Sequence, residues 1–205
     1  MTIQSTGQFR CRHCDKSFET GIYSAIDVSA DPDLKEKVRD GSIFVFECPY
    51  CGTKGLYIGH LLYIDPEAKQ FFSLVPEGFP EGGAPVDEEG RYTDYVTRLV
   101  RTPGELIEKL CIFDAGLDDA AVEMVKFVTM QDLGGEPEGA LRFFCLNGAD
   151  NDLIFTFPSG GEMHTVSVGF SAYEDCAAVM RRNADLLPQG LFPEVNAAWI
   201  DSFMK

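Results

Sequence analysis

Residues 46–55 read FECPYCGTKG, Phe46 to Gly55. The pair Cys48/Cys51 sits in the spacing of a dithiol redox centre and equally in that of half a metal site. The residues after the second cysteine decide between them. A reactive Cys-x-x-Cys opens a helix, whose N-terminus lowers the thiol pKa. Here Gly52-Thr53-Lys54-Gly55 leads into a β-like run from Leu56, so no helix is expected at Cys51. A metal knuckle instead needs a tight turn and then a residue that tolerates a left-handed backbone, and Gly52 adopts one freely.

The other half of such a site lies upstream. Cys11 and Cys14 complete C-x2-C-x33-C-x2-C, and Asp15, in the place of Gly52, is among the few non-glycine types that tolerate a left-handed backbone. The stretches FRCRHCDKSF and FECPYCGTKG echo one another, with an aromatic residue before each pair and a turn residue after it. Four thiolates suit one closed, tetrahedral, structural Zn2+, and zinc is the reading these residues favour for Cys11, Cys14, Cys48 and Cys51. The gap of 33 residues is longer than in common four-cysteine sites but has room for a strand and a helix. A four-thiolate zinc carries two negative charges, which Arg10, Arg12, Lys16 and Lys54 could offset. His13, between the first two cysteines, reads as a surface residue. Strong chelation is expected to unfold residues 1–75 and spare the later helices.

The motifs Cys48-Pro49-Tyr50-Cys51-Gly52, Cys11/Cys14 and Leu62-Tyr63-Ile64-Asp65-Pro66 resemble the bacterial CpXC proteins. Glu105-Leu106-Ile107-Glu108-Lys109 and Gly116-Leu117-Asp118-Asp119 are similar to a further segment of that family. The resemblance covers roughly residues 8–130. It implies a cysteine-held metal and names no substrate.

Around this centre the 205 residues read as α+β. A β-rich, zinc-ribbon-like domain is expected over 1–75, an acidic Gly/Pro linker or loop over 76–90, and an α+β domain over 91–205. The first has strands near 8–11, 17–29, 42–48, 54–64 and 70–75. Its one short helix is introduced by Asp31 and Pro32 and stopped at Gly41. The stretch PEGFPEGGAPVDEEG holds three Pro, four Gly and five acids, too little apolar surface to order itself. Beyond it, Tyr92 to Val100 suits a strand and Thr102 with Glu105 forms a capping box. A helix over 118–130 buries Val122, Val125 and Val128. Strands are expected next at 140–146, 153–157 and 163–170. Ser171 with Glu174 caps a helix whose inner stripe is Tyr173, Ala177, Met180, Ala184 and Leu187, and Val195 to Met204 forms a last one.

Charge narrows the function classes. Residues 1–75 hold 8 basic and 10 acidic residues, residues 76–205 hold 9 and 23, and the net is −16. Nucleic-acid affinity comes largely from Lys and Arg neutralising phosphates, so an acidic body disfavours it. The N-terminus shows no signal peptide, and the longest apolar stretch is about half the ~20 residues that span a bilayer. A soluble, cytoplasmic protein is expected.

Other polar groups have structural explanations. His60 reads as a core histidine on the strand face of Leu56, Ile58, Leu62 and Ile64. A Glu162–His164 pair could do acid/base work, although such pairs are common along strands. Asp114, Asp118, Asp119 and Glu123 could hold a hard cation, but aspartates also suit a helix's first turn. Cys111, Cys145 and Cys176 read as small buried hydrophobes. Arg181 and Arg182 suit a helix end. The expectation is a non-enzymatic module that binds another protein. The alternative is an enzyme, either a thiol oxidoreductase at Cys48/Cys51 or a hydrolase in the C-terminal half.

Overall fold

Two hairpins carry the two cysteine pairs. Strand β1 (Ile3–Arg10) turns into β2 (Ser17–Asp27), with the antiparallel ladder closing at Arg10 opposite Ser17. Strand β3 (Val45–Glu47) turns into β4 (Lys54–Leu56), closing at Glu47 opposite Lys54. Each knuckle is therefore the tip of a hairpin. These positions come from a computed structural model that describes residues 1–79, 90, 92–133 and 139–205. The chain is α+β and forms two units, residues 1–107 with 191–193 and residues 108–190 with 194–205.

In the first unit, β5 (Leu61–Asp65), β6 (Gln70–Leu74) and β7 (Val96–Val100) join the first hairpin in a sheet of order β1-β2-β5-β6-β7. β2 meets β5 in parallel only over Ala25–Asp27, so its first part leaves the sheet as an arm paired with β1. β6 is buried along its whole length, and Tyr63 stacks on Phe72 across the β5–β6 ladder at 6.1 Å. Helix α1 (Asp33–Arg39) buries Leu34 and Val38. β7 pairs in parallel with β6 from beyond the Gly/Pro-rich stretch, of which residues 80–89 lie outside the described residues.

The expected continuous strand 54–64 is two strands in different sheets, with residues 57–60 irregular between them. At Gly59 the Tyr57 ring lies over the backbone, so close that a Cβ would sit 2.4 Å from its hydroxyl and the ring would have to swing away. His60 consequently sits in this connection rather than on a strand face. It is half-buried, 3.5 Å from Ser73 Oγ, and burial lowers its pKa. α1 begins at Asp33, after Pro32, one residue later than the capping pattern suggests.

The second unit is a three-stranded antiparallel sheet with helices. Helix α2 (Pro103–Asp114), whose first five residues belong to the first unit, starts at the expected capping box: Glu105 N–H donates to Thr102 Oγ1 at 3.1 Å, and Arg101 N–H donates to Glu105 Oε2 at 2.8 Å. Helix α3 (Asp119–Asp132) is capped by Asp118, whose side chain accepts from the Ala121 amide. Strands β8 (Arg142–Asn147), β9 (Asp152–Ser159) and β10 (Glu162–Gly169) lie in the order β10-β9-β8. Phe143, Leu153 and Phe155 of the sheet pack with Ile112, Leu117, Val122 and Val125. Helices α4 (Phe170–Arg182) and α5 (Ala197–Phe203) complete a second core around Ala121, Ala177, Met180 and Ile200.

Three expectations fail here. Ala184 and Leu187, expected on the inner stripe of the fourth helix, lie beyond its end at Arg182, and Ala184 is exposed. Val128 is 45% exposed, one step off the buried stripe of Val122 and Val125. Ser171 does not cap α4, because the helix already begins at Phe170, directly from the end of β10. Among the described residues, no helix is long and apolar enough to cross a membrane.

Candidate metal centre

The two hairpin tips repeat one local geometry. In the first knuckle, Cys11 N–H donates to Lys16 O at 2.9 Å and Asp15 N–H to Cys11 O at 2.8 Å. In the second, Cys48 N–H donates to Thr53 O and Gly52 N–H to Cys48 O, both at 2.9 Å. Asp15 has φ 61° and Gly52 φ 69°, the left-handed turn residues the sequence calls for. The echo between the two cysteine stretches is thus one backbone motif used twice.

The tips face each other and bring the four sulfurs together. Cys11 Sγ lies 3.6 Å from Cys51 Sγ, and Cys14 Sγ lies 3.7 Å from Cys48 Sγ. All four sulfurs fall within 4.8 Å of one another. A disulfide would need about 2.05 Å, and all four cysteines are free thiols. Tetrahedral ligands at ~2.3 Å from a zinc-sized ion are ~3.8 Å apart, so the donor set and its spacing fit a metal ion.

Below the sulfurs, Phe9, Phe18, Phe46 and Tyr57 join the hairpins, with Phe9 4.9 Å from Phe46 and 5.4 Å from Tyr57. Cys11 and Cys48 are buried on this side, while Cys51 is exposed. Without a cation the sulfurs share protons unequally. The hydroxyl and amide of Thr53 hold the Cys51 thiol down to about 5. At Cys14 the Lys16 amide favours the thiolate, but burial and the sulfurs of Cys51, Cys11 and Cys48 push the thiol up to about 12. A bound cation removes that crowding by displacing the protons.

The basic residues expected to offset a charged centre are partly engaged otherwise. Arg10 pairs with Asp15, and Lys16 sits over the Tyr50 ring at 4.7 Å. His13 is exposed, interacts with Cys51, and lies outside the four-sulfur group.

A family model described as CpXC protein matches residues 9–126. The chain belongs to the CpXC family. The match begins at the first knuckle and runs through most of α3, so it includes both cysteine pairs. No curated protein and no solved structure matches the chain.

The other candidate residues lie away from this centre. His164 is exposed, stacked on Phe157 at 5.6 Å with Nε2 3.1 Å from Ser159 O. Cys111, Cys145 and Cys176 are half-buried, and the first and third pack against the core of the second unit. Asp118 serves as a cap, whereas Asp119 and Glu123 are drawn into a charge network that the sequence pattern did not announce.

In that network Lys109 meets Asp119 at 2.9 Å and Glu123 at 3.5 Å, and Lys126 meets Glu108 at 2.9 Å and Glu123 at 3.1 Å. Arg142 reaches Glu108 at 2.9 Å, and the Phe143 amide donates to the same carboxylate at 2.8 Å. Burial favours the neutral acid at Glu108, but Lys126 and Arg142 outweigh it and hold the pKa below the usual range. Burial likewise opposes charge on Lys126, which Glu123 and Glu108 override. Three acids and three bases thus neutralise one another, which turns the suspected cation site into an ion-paired helix contact. No local signal in the sequence gives this burial: Glu108 and Lys109 are adjacent charges between Leu106-Ile107 and Leu110, a pattern that by itself suits an exposed helix face.

Proposed function

We propose that Cys11, Cys14, Cys48 and Cys51 hold one structural Zn2+, and that the protein is a non-enzymatic module that binds another protein in the cytoplasm. The observation that carries the reading is the meeting of four sulfurs at two hairpin tips. Four thiolates fill a tetrahedral shell, whereas a catalytic zinc keeps a position for water or substrate. When bound, the zinc supplies cross-linking of the two tips. The chain's own contribution is to hold the sulfurs in place through the paired turns and the aromatic cluster beneath them. A reducing compartment keeps such thiolates available to the metal. The acidic body favours a protein partner over nucleic acid.

A second reading, a thiol oxidoreductase at Cys48/Cys51, draws on the exposure of Cys51. Against it, the pair lies in the turn between β3 and β4, so it lacks the helix N-terminus that activates such thiols. One experiment separates the two. Elemental analysis with thiol labelling of the native protein should find one zinc per chain and four thiols that react only after chelation. Metal-free protein with a readily reversible Cys48–Cys51 disulfide would overturn the zinc reading.

A further inference from the structure

We propose that the outer edge of β10 and the groove beside it form a binding site for an extended peptide that carries basic residues alternating with aliphatic ones. This deepens the protein-interaction reading and rests on it. Among the described residues, β10 pairs only with β9, which leaves one row of its backbone N–H and C=O groups without a strand neighbour. Beside it runs an open groove of about 390 Å³ within the second unit. Its apolar wall is made by Val125 and Val128 of α3, Val166 and Val168 of β10, and Ala172 and Cys176 of α4.

The β10 contribution is the unbroken run 166–169. Val166 and Val168 share the strand face that packs on the unit's core, and Ser167 and Gly169, on the opposite face, border the groove as well. A sheet edge running beside a helix is the arrangement in which a peptide adds as a further strand and places alternate side chains in the groove. Four residues of edge span about 13 Å, which admits two inward side chains, and the apolar wall suits aliphatic ones.

Charge selects the rest of the partner. Asp132 lines the groove, and Asp175 precedes Cys176, which lines it as well. No Lys or Arg lines it among the described residues. A second copy of a chain with net charge −16 would meet repulsion here, whereas Lys and Arg flanking two aliphatic residues would meet Asp132 in a groove without a base in its described lining.

The test uses the full, zinc-loaded chain and a fluorescein-labelled peptide, Lys-Val-Lys-Leu-Lys-Val-Lys, blocked at both ends. Saturable binding is expected, weakened at least tenfold when glutamate replaces every lysine. Two further peptides carry N-methyl groups on alternate amides in either register. One of the two should lose binding at least tenfold, because only one row of amides faces β10. V128K changes an exposed residue, leaves the fold measurable by circular dichroism, and should weaken binding by a similar factor. Equal binding of the lysine and glutamate peptides, equal binding of both methylated peptides, or unaltered binding to V128K would each overturn the proposal. Protection of the β10 edge in a dimer without peptide would do the same, with a second copy as the occupant. Zinc content and thiol protection are read on the same samples. A lost peptide site with zinc retained therefore refutes this inference alone.

Discussion

Removing the metal should release the two hairpin tips while the five-stranded sheet stays folded. The sequence alone leads one to expect that all of residues 1–75 unfold on chelation, and the positions of the elements narrow this. β3 and β4 pair only with each other, and β1 with β2 leaves the sheet as an arm. What joins the two hairpins beyond the sulfurs is the contact of Phe9 and Phe18 with Phe46, and of Phe9 with Tyr57, at ring distances of 4.9 to 5.8 Å. Aromatic pairs contribute about 0.5–1.5 kcal/mol each, so the three contacts between hairpins supply about 2–4 kcal/mol before the entropy of ordering the arms. A structural zinc contributes roughly 10–16 kcal/mol. Metal loss thus removes most of what closes the tips, and amide protection there should fall below about a thousandfold, at 1.4 kcal/mol per factor of ten. By contrast, Ile26, Tyr63, Phe71, Phe72 and Leu74 are sealed in the sheet independently of the cysteines. Native-state hydrogen exchange with and without a strong chelator reads both regions at once. The amides of Cys11, Asp15, Cys48, Gly52 and Tyr57 should lose protection, and those of β5 and β6 should keep it. Unchanged tips after verified metal removal would refute the reasoning, and so would collapse of β5 and β6 along with them.

Truncating Glu108 to alanine strands Lys126 and leaves the Phe143 amide without its acceptor, a loss of about 3–5 kcal/mol in urea unfolding followed at Trp199. Adding Lys126→Met should recover part of it, and a loss under about 1 kcal/mol for E108A would show that the pairing does not hold the helices. The pair Lys35–Asp65, at 2.7 Å, predicts acid sensitivity in the first unit. Burial raises the Asp65 pKa, but the hydrogen bonds from Lys35 and the Ala68 amide bring it below the ordinary carboxylate value. Because the folded pKa is depressed, the stabilisation is present above the unfolded value near pH 4 and disappears as pH falls through the folded one. Thermal melts of Lys35→Met should show a weaker loss of stability than the wild type below pH 4, and parallel curves would refute the assignment.

What could be read in the sequence was what neighbouring residues decide among themselves. A knuckle is set by two cysteines, the turn between them and the residue just after, so Asp15 and Gly52 announced both tips. Thr102 with Glu105, and Asp118 before α3, likewise declare helix starts within four residues. The failures share a different cause. Whether 54–64 is one strand or two depends on distant partners, since Lys54–Leu56 pairs with β3 and Leu61–Asp65 with β2 and β6. The partnership of β7 with β6 joins segments separated by the Gly/Pro-rich stretch, and no local pattern encodes it.

The ion-paired network extends this lesson to function. Charged residues on a helix are exposed by default, and Glu108, Lys109, Glu123 and Lys126 are buried only because each finds an opposite charge from another turn or element. Residues 108–205 contain six basic and sixteen acidic residues. Lys109, Lys126 and Arg142 face inward to carboxylates, and the other three, Arg181, Arg182 and Lys205, stand at the end of α4 and the chain terminus. Pairing three bases with three acids inside leaves the rest of this unit's surface more one-signed than its composition suggests. Asp132 accordingly faces the β10 groove with no lysine or arginine in its described lining, and a basic peptide is the partner that would supply one.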